Sequence, residues 1–298
     1  MEANPATAFR RIGILGTGLI GGSLLLALRR LLPDAEIAAG APSERTRAAV
    51  RASGAASLVF DPAREPPAAA LAGCDLAILA APPEAVCRDL PALRGAEIGL
   101  IVDVASVKGS VMEAARGLGN FVGGHPMAGT EGVGFGAADP DLFRGAAFLY
   151  CVPPDYAAGA ERLDALLALL RALGMRTFAM DAAEHDRRLA LVSHLPHAAA
   201  FALALAAARA DDPILAELVG GGFRDTTRIA ASSPALWTDI LRASPELPAA
   251  LDSYVGTLRR LRAALDPSAP PDDLRALLGE AEAYRRAIPE GLHAVPHA

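Results

Sequence analysis

The groups of this 298-residue chain that could do chemistry fall in one glycine turn and four polar clusters. Gly16-Thr17-Gly18-Leu19-Ile20-Gly21 has the GxGxxG spacing. Its first glycine permits a tight turn, its second lets backbone approach a pyrophosphate, and its third lets a helix pack closely on a strand. A helix opening there offers unpaired N–H groups and a positive dipole end to phosphates, so the turn implies a bound dinucleotide. The segment Asp103–Gly109 (DVASVKG) supplies a hydroxyl at Ser106, and Gly123–Glu131 (GGHPMAGTE) supplies His125. Histidine suits a base because its ordinary pKa near 6.5 leaves the neutral form dominant at pH 7. Ser193–His197 (SHLPH) puts His194 and His197 on one helix face, and Gly220–Arg228 (GGGFRDTTR) ends in an arginine whose planar fork suits a carboxylate. Trp237, the single tryptophan, follows. A hydride acceptor, a base, a hydroxyl and a fixed cation are the equipment for oxidising an alcohol on an anionic substrate.

Each cluster also has a plainer reading. Ser106 is placed to cap a helix starting at Lys108, and Arg228 to pair with Asp225. The spacing of His194 and His197 would suit a metal, but no third ligand is evident and no metal is expected.

The elements that must position these residues change character along the chain. Arg11–Leu15 reads as a buried strand that feeds the glycine turn, and a helix follows from about 19 to 31, ended by Pro33. Further strands are predicted at Glu36–Ala39, Asp75–Ala80, Ile98–Val102, Phe121–Gly123, Phe148–Val152 and Arg176–Ala179. Helices are predicted at Thr46–Ser53, Lys108–Leu118 and Glu161–Leu173, the last with Leu163, Leu166, Leu167 and Leu170 on one face. Strands alternating with helices imply a mostly parallel sheet covered on both faces. Beyond Met180 no strand pattern remains. A long Ala/Leu helix is predicted over 182–209, interrupted by Pro196, then helices near 213–219, 234–242, 246–265 and 271–287. The expected fold is therefore a Rossmann-type α/β domain over 1–180 and an all-α substrate and dimerisation domain over 181–298, with a frayed tail after Pro289.

Composition narrows the partners. Net charge is −6 with no basic stripe, which disfavours nucleic acid and anionic membranes. The apolar run around Phe201, about 14 residues, reads as shorter than the roughly 20 needed to span a bilayer. Cys74, Cys87 and Cys151 are odd in number and far apart, as suits reduced thiols in the cytoplasm, and the N-terminus lacks a signal-peptide pattern. The aliphatic core has surplus apolar helix surface, so a homodimer is expected.

The cofactor itself is left open between NAD and NADP. An NAD-selective site places a carboxylate at the end of the second strand to take the ribose hydroxyls. Ala41 stands about there, whereas Ser43, Arg45 and Arg47 nearby could bind a 2′-phosphate.

Taken in order, ILGTGLIGGSLLLALR, DVASVKG, GGHPMAGTE with the later Leu142-Phe143, VSHLPHAAAFAL and GGGFRDTTRIAASSPALW resemble the prephenate and arogenate dehydrogenase family of tyrosine biosynthesis over about three quarters of the chain. The pairing of GGHPMAGTE with SHLPH is far more specific than the glycine turn. The resemblance implies an oxidative decarboxylation of prephenate or arogenate, with hydride passing to NAD(P) and 4-hydroxyphenylpyruvate or tyrosine as product. It implies His125 as catalytic base and Ser106 beside the reacting hydroxyl and nicotinamide. Arg228 would bind a substrate carboxylate, and Thr130, Ser193, His197 and Trp237 would surround the side chain. Glu131 and Asp225 would form an ionic network at the entrance, with His185 and His194 behind the site. After the helical half there is no room for a fused chorismate mutase or a regulatory domain, so any control by tyrosine is expected at the active site. Two other readings share parts of the pattern: a β-hydroxyacid dehydrogenase or imine reductase of the same two-domain plan, and a non-catalytic dinucleotide sensor.

Overall fold

The computed structural model describes residues 8–289, so the tail expected to fray after Pro289 lies outside it. Eight strands form one sheet in the order β3-β2-β1-β4-β5-β6-β7-β8. They are β1 Arg11–Leu15, β2 Glu36–Gly40, β3 Leu58–Phe60, β4 Leu76–Leu79, β5 Leu100–Asp103, β6 Phe121–Pro126, β7 Ala147–Cys151 and β8 Arg176–Ala179. Neighbours from β3 through β6 are parallel, with Ile14 opposite Ile78 and Leu79 opposite Asp103. β7 runs antiparallel to β6, and β8 is parallel to β7. An antiparallel neighbour needs no crossover to the far end of the sheet. Residues 127–146 therefore return over the C-terminal edge, where an open α/β sheet keeps its site.

The α/β helices are α1 Leu19–Leu31, α2 Glu44–Ser53, α3 Pro83–Asp89, α4 Gly109–Ala114 and α5 Ala160–Ala172, with a single turn at Pro67–Ala70. The central strands are buried along their whole length because both faces are covered. Ile14, Ile78 and Val102 pack with Leu24 and Leu28 of α1 and Leu166 and Leu170 of α5. Leu15, Leu79 and Ile101 pack on the other face with Val86 of α3 and Val111 of α4. α4 is shorter than the predicted Lys108–Leu118, and Gly117 beyond it takes a left-handed φ of 79°.

From Ala182 onward the described residues form helices joined by turns and loops, with no strand among them. They form α6 Ala182–Leu189, α7 Leu195–Ala208, α8 Gly221–Thr227, α9 Pro234–Ala243, α10 Leu247–Ala264 and α11 Pro271–Ala287. The predicted 213–219 helix is a single turn at Leu215–Leu218. Pro196 does not stop the long helix. A π-helical turn at Ala190–His194 joins α6 to α7, and Pro196 sits in the first turn of α7, where its missing N–H is tolerated. The continuous helix of 27 residues corrects the expectation drawn from the apolar run alone: by length and composition it is enough to cross a membrane. The uninterrupted apolar run is shorter than the helix, because the more polar turns of α6 extend it at the N-terminal end. Leu191, Val192, Leu203 and Leu205 on it are exposed in the single chain.

Candidate active site

The glycine turn links β1 to α1 where the strand order reverses between β1 and β4. Gly16 has φ 96°, and a Cβ there would lie 2.6 Å from the Ala80 carbonyl oxygen. A Cβ on Gly21 would run into the Gly16 carbonyl. Nothing lies within 4 Å of a Cβ on Gly18, and no side chain caps the first N–H groups of α1. The turn is thus closed on its inner side and open above α1, which fits a dinucleotide pyrophosphate at Gly16–Gly21.

At the C-terminal edge a cavity of about 500 Å³ opens between the sheet and the helical half. Its walls include Gly18, Leu19, Ile20, Ser106, His125, Thr130 and Glu131 from the sheet side. Ser193, His197, Arg228 and Trp237 face it from the helices. Thr17 is buried beneath the turn. Four separate sequence clusters therefore converge on one space next to the glycine turn.

His125 is buried at the end of β6, where it pairs with Leu149 of β7. Its Nδ1 lies 2.9 Å from His185 Nε2, leaving Nε2 as the nitrogen available to the cavity. Burial, then the neighbouring His185, Lys108 and His194, push its pKa well below 6.5. His185 Nδ1 is in turn 2.8 Å from Asp186. Asp186 also accepts the backbone N–H groups of Lys108 and Gly109, each at 2.8 Å. Burial alone would raise the Asp186 pKa, but these hydrogen bonds outweigh it and hold the carboxyl below the usual range.

The loop carrying Ser106 is fixed at both ends. Lys108 is fully buried and forms an ion pair with buried Asp103. Asp103 also accepts from the N–H of Ala105 at 2.9 Å and of Gly124 at 3.0 Å, tying this loop to the strand of His125. Ser106 does not cap the following helix, whose first residue is Gly109.

On the helical side the π turn presents Ser193 to the cavity and buries His194 against Ser244. Burial pushes His194 down to about 4. His197 donates from Nδ1 to the Ser193 carbonyl at 2.9 Å and stacks on Trp237, with ring centroids 3.4 Å apart. That leaves a flat, partly polar wall with the His197 Nε2 lone pair available. Arg228 pairs with Glu131 across the mouth rather than with Asp225. Asp225 is exposed and is not among the residues that line the cavity.

The end of β2 separates three residues that looked equivalent in sequence. Ser43 caps α2 by accepting the Thr46 N–H. Arg47 is buried, donates to the carbonyls of Ala41 and Pro42, and pairs with Glu44 and Asp61. Its guanidinium is consumed by the fold, which corrects its candidacy for a phosphate. Arg45 is exposed and makes no ion pair within the described residues. Asp186 went unnoticed in the sequence, where nothing but tertiary proximity marks it. The apolar wall of Ile229, Leu236 and Ile240 was equally hidden.

A dinucleotide turn at the switch point, beside a buried histidine and an arginine in one cavity, fits an NAD(P)-dependent dehydrogenase of α/β plus helical architecture. Residues 26–179 match the family model described as "Prephenate dehydrogenase, nucleotide-binding domain". Residues 181–280 match "Prephenate dehydrogenase, dimerization domain". The chain is 35% identical over 271 residues to the cyclohexadienyl dehydrogenase of Zymomonas mobilis, covering 87% of this chain and 89% of that one. A solved prephenate dehydrogenase from Aquifex aeolicus, in complex with hydroxyphenyl propionate and NAD+, superposes with a TM-score of 0.82 at 26% identity. It covers 93% of this chain and 97% of its own. Synechocystis arogenate dehydrogenase gives 0.75 at 28%, covering 93% and 99%. The chain belongs to the prephenate dehydrogenase family, and it is an NAD(P)-dependent oxidoreductase of tyrosine biosynthesis. The hydroxyacid-dehydrogenase and sensor readings are not favoured by these relatives.

Proposed function

We propose that this enzyme oxidises and decarboxylates prephenate, arogenate or both, with His125 as the base. The carrying observation is the buried His125 side chain on a cavity shared with Ser106, Arg228 and the glycine turn. His125 Nε2 accepts the proton of the ring hydroxyl and returns it to the phenol oxygen of the product, so no net proton is lost. Bound nicotinamide supplies the acceptor for the hydride of the carbinol carbon, while the electrons of the departing carboxylate bond aromatise the ring and release CO2. Because aromatisation drives the chemistry, the protein has only to place the groups and transfer one proton.

Arg228 binds a substrate carboxylate. Its present partner Glu131 is half-exposed, and a surface pair contributes only about 0–1 kcal/mol, so exchange is inexpensive. Ser106 faces the reacting hydroxyl, and Thr130, Ser193, His197 and Trp237 enclose the side chain. Residues 1–180 hold the cofactor, and 181–298 complete the substrate site and pair with a second copy. The exposed apolar side chains of α7 and the dimerization-domain match support a homodimer. The three cysteines are free thiols, which suits a cytoplasmic enzyme.

The test is a kinetic panel of both substrates with NAD and NADP. His125→Ala is expected to lower kcat about 10²–10⁴-fold, the range for a general base, with cofactor affinity kept; near wild-type kcat removes His125 from the role. Of the three candidates for a 2′-phosphate, Ser43 caps a helix and Arg47 is tied into the fold, so Arg45 is the one with an uncommitted guanidinium. Arg45→Ala is expected to lower kcat/KM with NADP about tenfold, the loss of one charge-assisted contact, and to leave NAD unchanged. A strong NAD preference untouched by that change removes Arg45 from cofactor selection.

A further inference from the structure

Behind the proposed base stand three buried groups that the reaction does not use directly, His185, Asp186 and Lys108. Their order has a direction. An ionised carboxylate only accepts, so Asp186 obliges His185 to carry its proton on Nδ1. Neutral His185 then presents a lone pair at Nε2, and the 2.9 Å contact obliges His125 to donate from Nδ1. The one remaining nitrogen of His125, Nε2, is left unprotonated toward the cavity.

We propose that Asp186, acting through His185, is the positioning residue that makes Nε2 of His125 the base nitrogen, and that it holds the Ser106 loop against that histidine. The inference rests on His125 being the base. It deepens that reading by assigning two residues that touch neither substrate nor cofactor. When Nε2 takes the substrate proton, the imidazolium keeps its Nδ1–H on His185, one ring from the carboxylate. The proton stays on His125 until it is returned to product, and no transfer to Asp186 is required. The second grip is direct: the same carboxylate accepts the N–H groups of Lys108 and Gly109, two and three residues after Ser106. The ammonium of Lys108 is held meanwhile by Asp103, which also binds the N–H of Gly124 next to His125. One carboxylate on α6 thereby aligns hydroxyl, base and tautomer together.

Asp186→Asn tests the direction of the chain. Turned toward His185 Nδ1, at the cost of the Lys108 N–H bond that the same oxygen accepts in the wild type, its amide nitrogen donates there, which reverses both rings and places the proton on His125 Nε2. In serine proteases the same carboxylate-to-amide change costs about 10⁴-fold in kcat through the wrong tautomer. Here kcat is expected to fall at least about 100-fold, with KM for NAD near the wild-type value. The chain has six histidines, few enough for 15N-histidine NMR to resolve the ring nitrogens of His125. The wild type should show a bare Nε2 and the variant a bare Nδ1. His185→Gln keeps the donor toward Asp186 and the acceptor toward His125, and is expected to retain at least about a tenth of wild-type kcat, whereas His185→Phe falls well below it. If Asp186→Asn fails to fold, the Gln and Phe pair decides. Equal rates for that pair, or an Asp186→Asn enzyme within threefold of wild type with an unchanged His125 spectrum, would overturn the assignment. A His125→Ala enzyme of normal rate would instead overturn the reading beneath it, so the two failures are distinct.

Discussion

His125, the proposed base, sits in an environment that keeps it unprotonated. Burial contributes most, and His185, Lys108 and His194 add to it, so its pKa lies well below 6.5. The sign gives a prediction. A group with a lowered pKa gains its proton only in acid, so kcat/KM should be flat from about pH 6.5 upward with respect to this residue. The acid limb should fall below pH 6.5 and disappear in His125→Ala; a pH–rate profile in which that limb centres at 7 or above contradicts the buried site. The sequence marked His125, Ser106 and Arg228 because each residue type suits its role and each sits in a glycine-rich or strand-end segment. It could not show that Arg228 faces Glu131 instead of Asp225, or that Arg47 is tied to two carbonyls and Asp61. Partners more than a few residues apart are chosen by packing, to which local spacing is blind.

Among the elements, the glycine turn and α1 are the part that composition and order specified most fully. Gly21 is required by close approach, since a Cβ there would collide with the Gly16 carbonyl and reach within 2.8 Å of Ala80 Cβ. Gly21→Ala is expected to raise KM for the cofactor at least about tenfold and to cost about 1–3 kcal/mol of stability, the range for an overpacked contact. Cofactor titration and urea unfolding measure the two effects, and an unchanged cofactor KM would mean that the turn relaxes freely. Other elements were hidden for identifiable reasons. β3 is only Leu58–Phe60, too short to show alternation. Pro82-Pro83 ends the strand before it but also begins α3, because proline fits the first helical turn. Pro196 read as an interruption, yet the π turn before it carries the helix through and aims Ser193 into the cavity while burying His194.

For the molecule as a whole, the helical half leaves a surface that a single chain does not cover. Leu191, Val192, Leu203 and Leu205 are exposed along the helix 182–208. A second copy is the occupant that the dimerization-domain match supports. Sedimentation at micromolar concentration is expected to give twice the 30.6 kDa chain mass, and Leu205→Glu should shift the equilibrium toward monomer, because a buried unpaired charge is costly. A monomeric wild type would leave that apolar face without its proposed partner.

The order of residues alone was enough to establish that a dinucleotide turn opens an α/β half and that a helical half follows, and it singled out the histidine, serine and arginine proposed to carry the chemistry. Those features are local: a turn needs glycine, a buried parallel strand needs apolar residues, and a base or a cation needs its residue type. The remainder came from folding. It brought clusters more than 100 residues apart in sequence, such as Ser106 and Arg228, to one cavity. It withdrew Arg47 into the fold and set Asp186 behind His185 and His125. The reason is physical: burial and hydrogen-bond direction depend on what stands across the gap, and only the folded chain puts those groups in place.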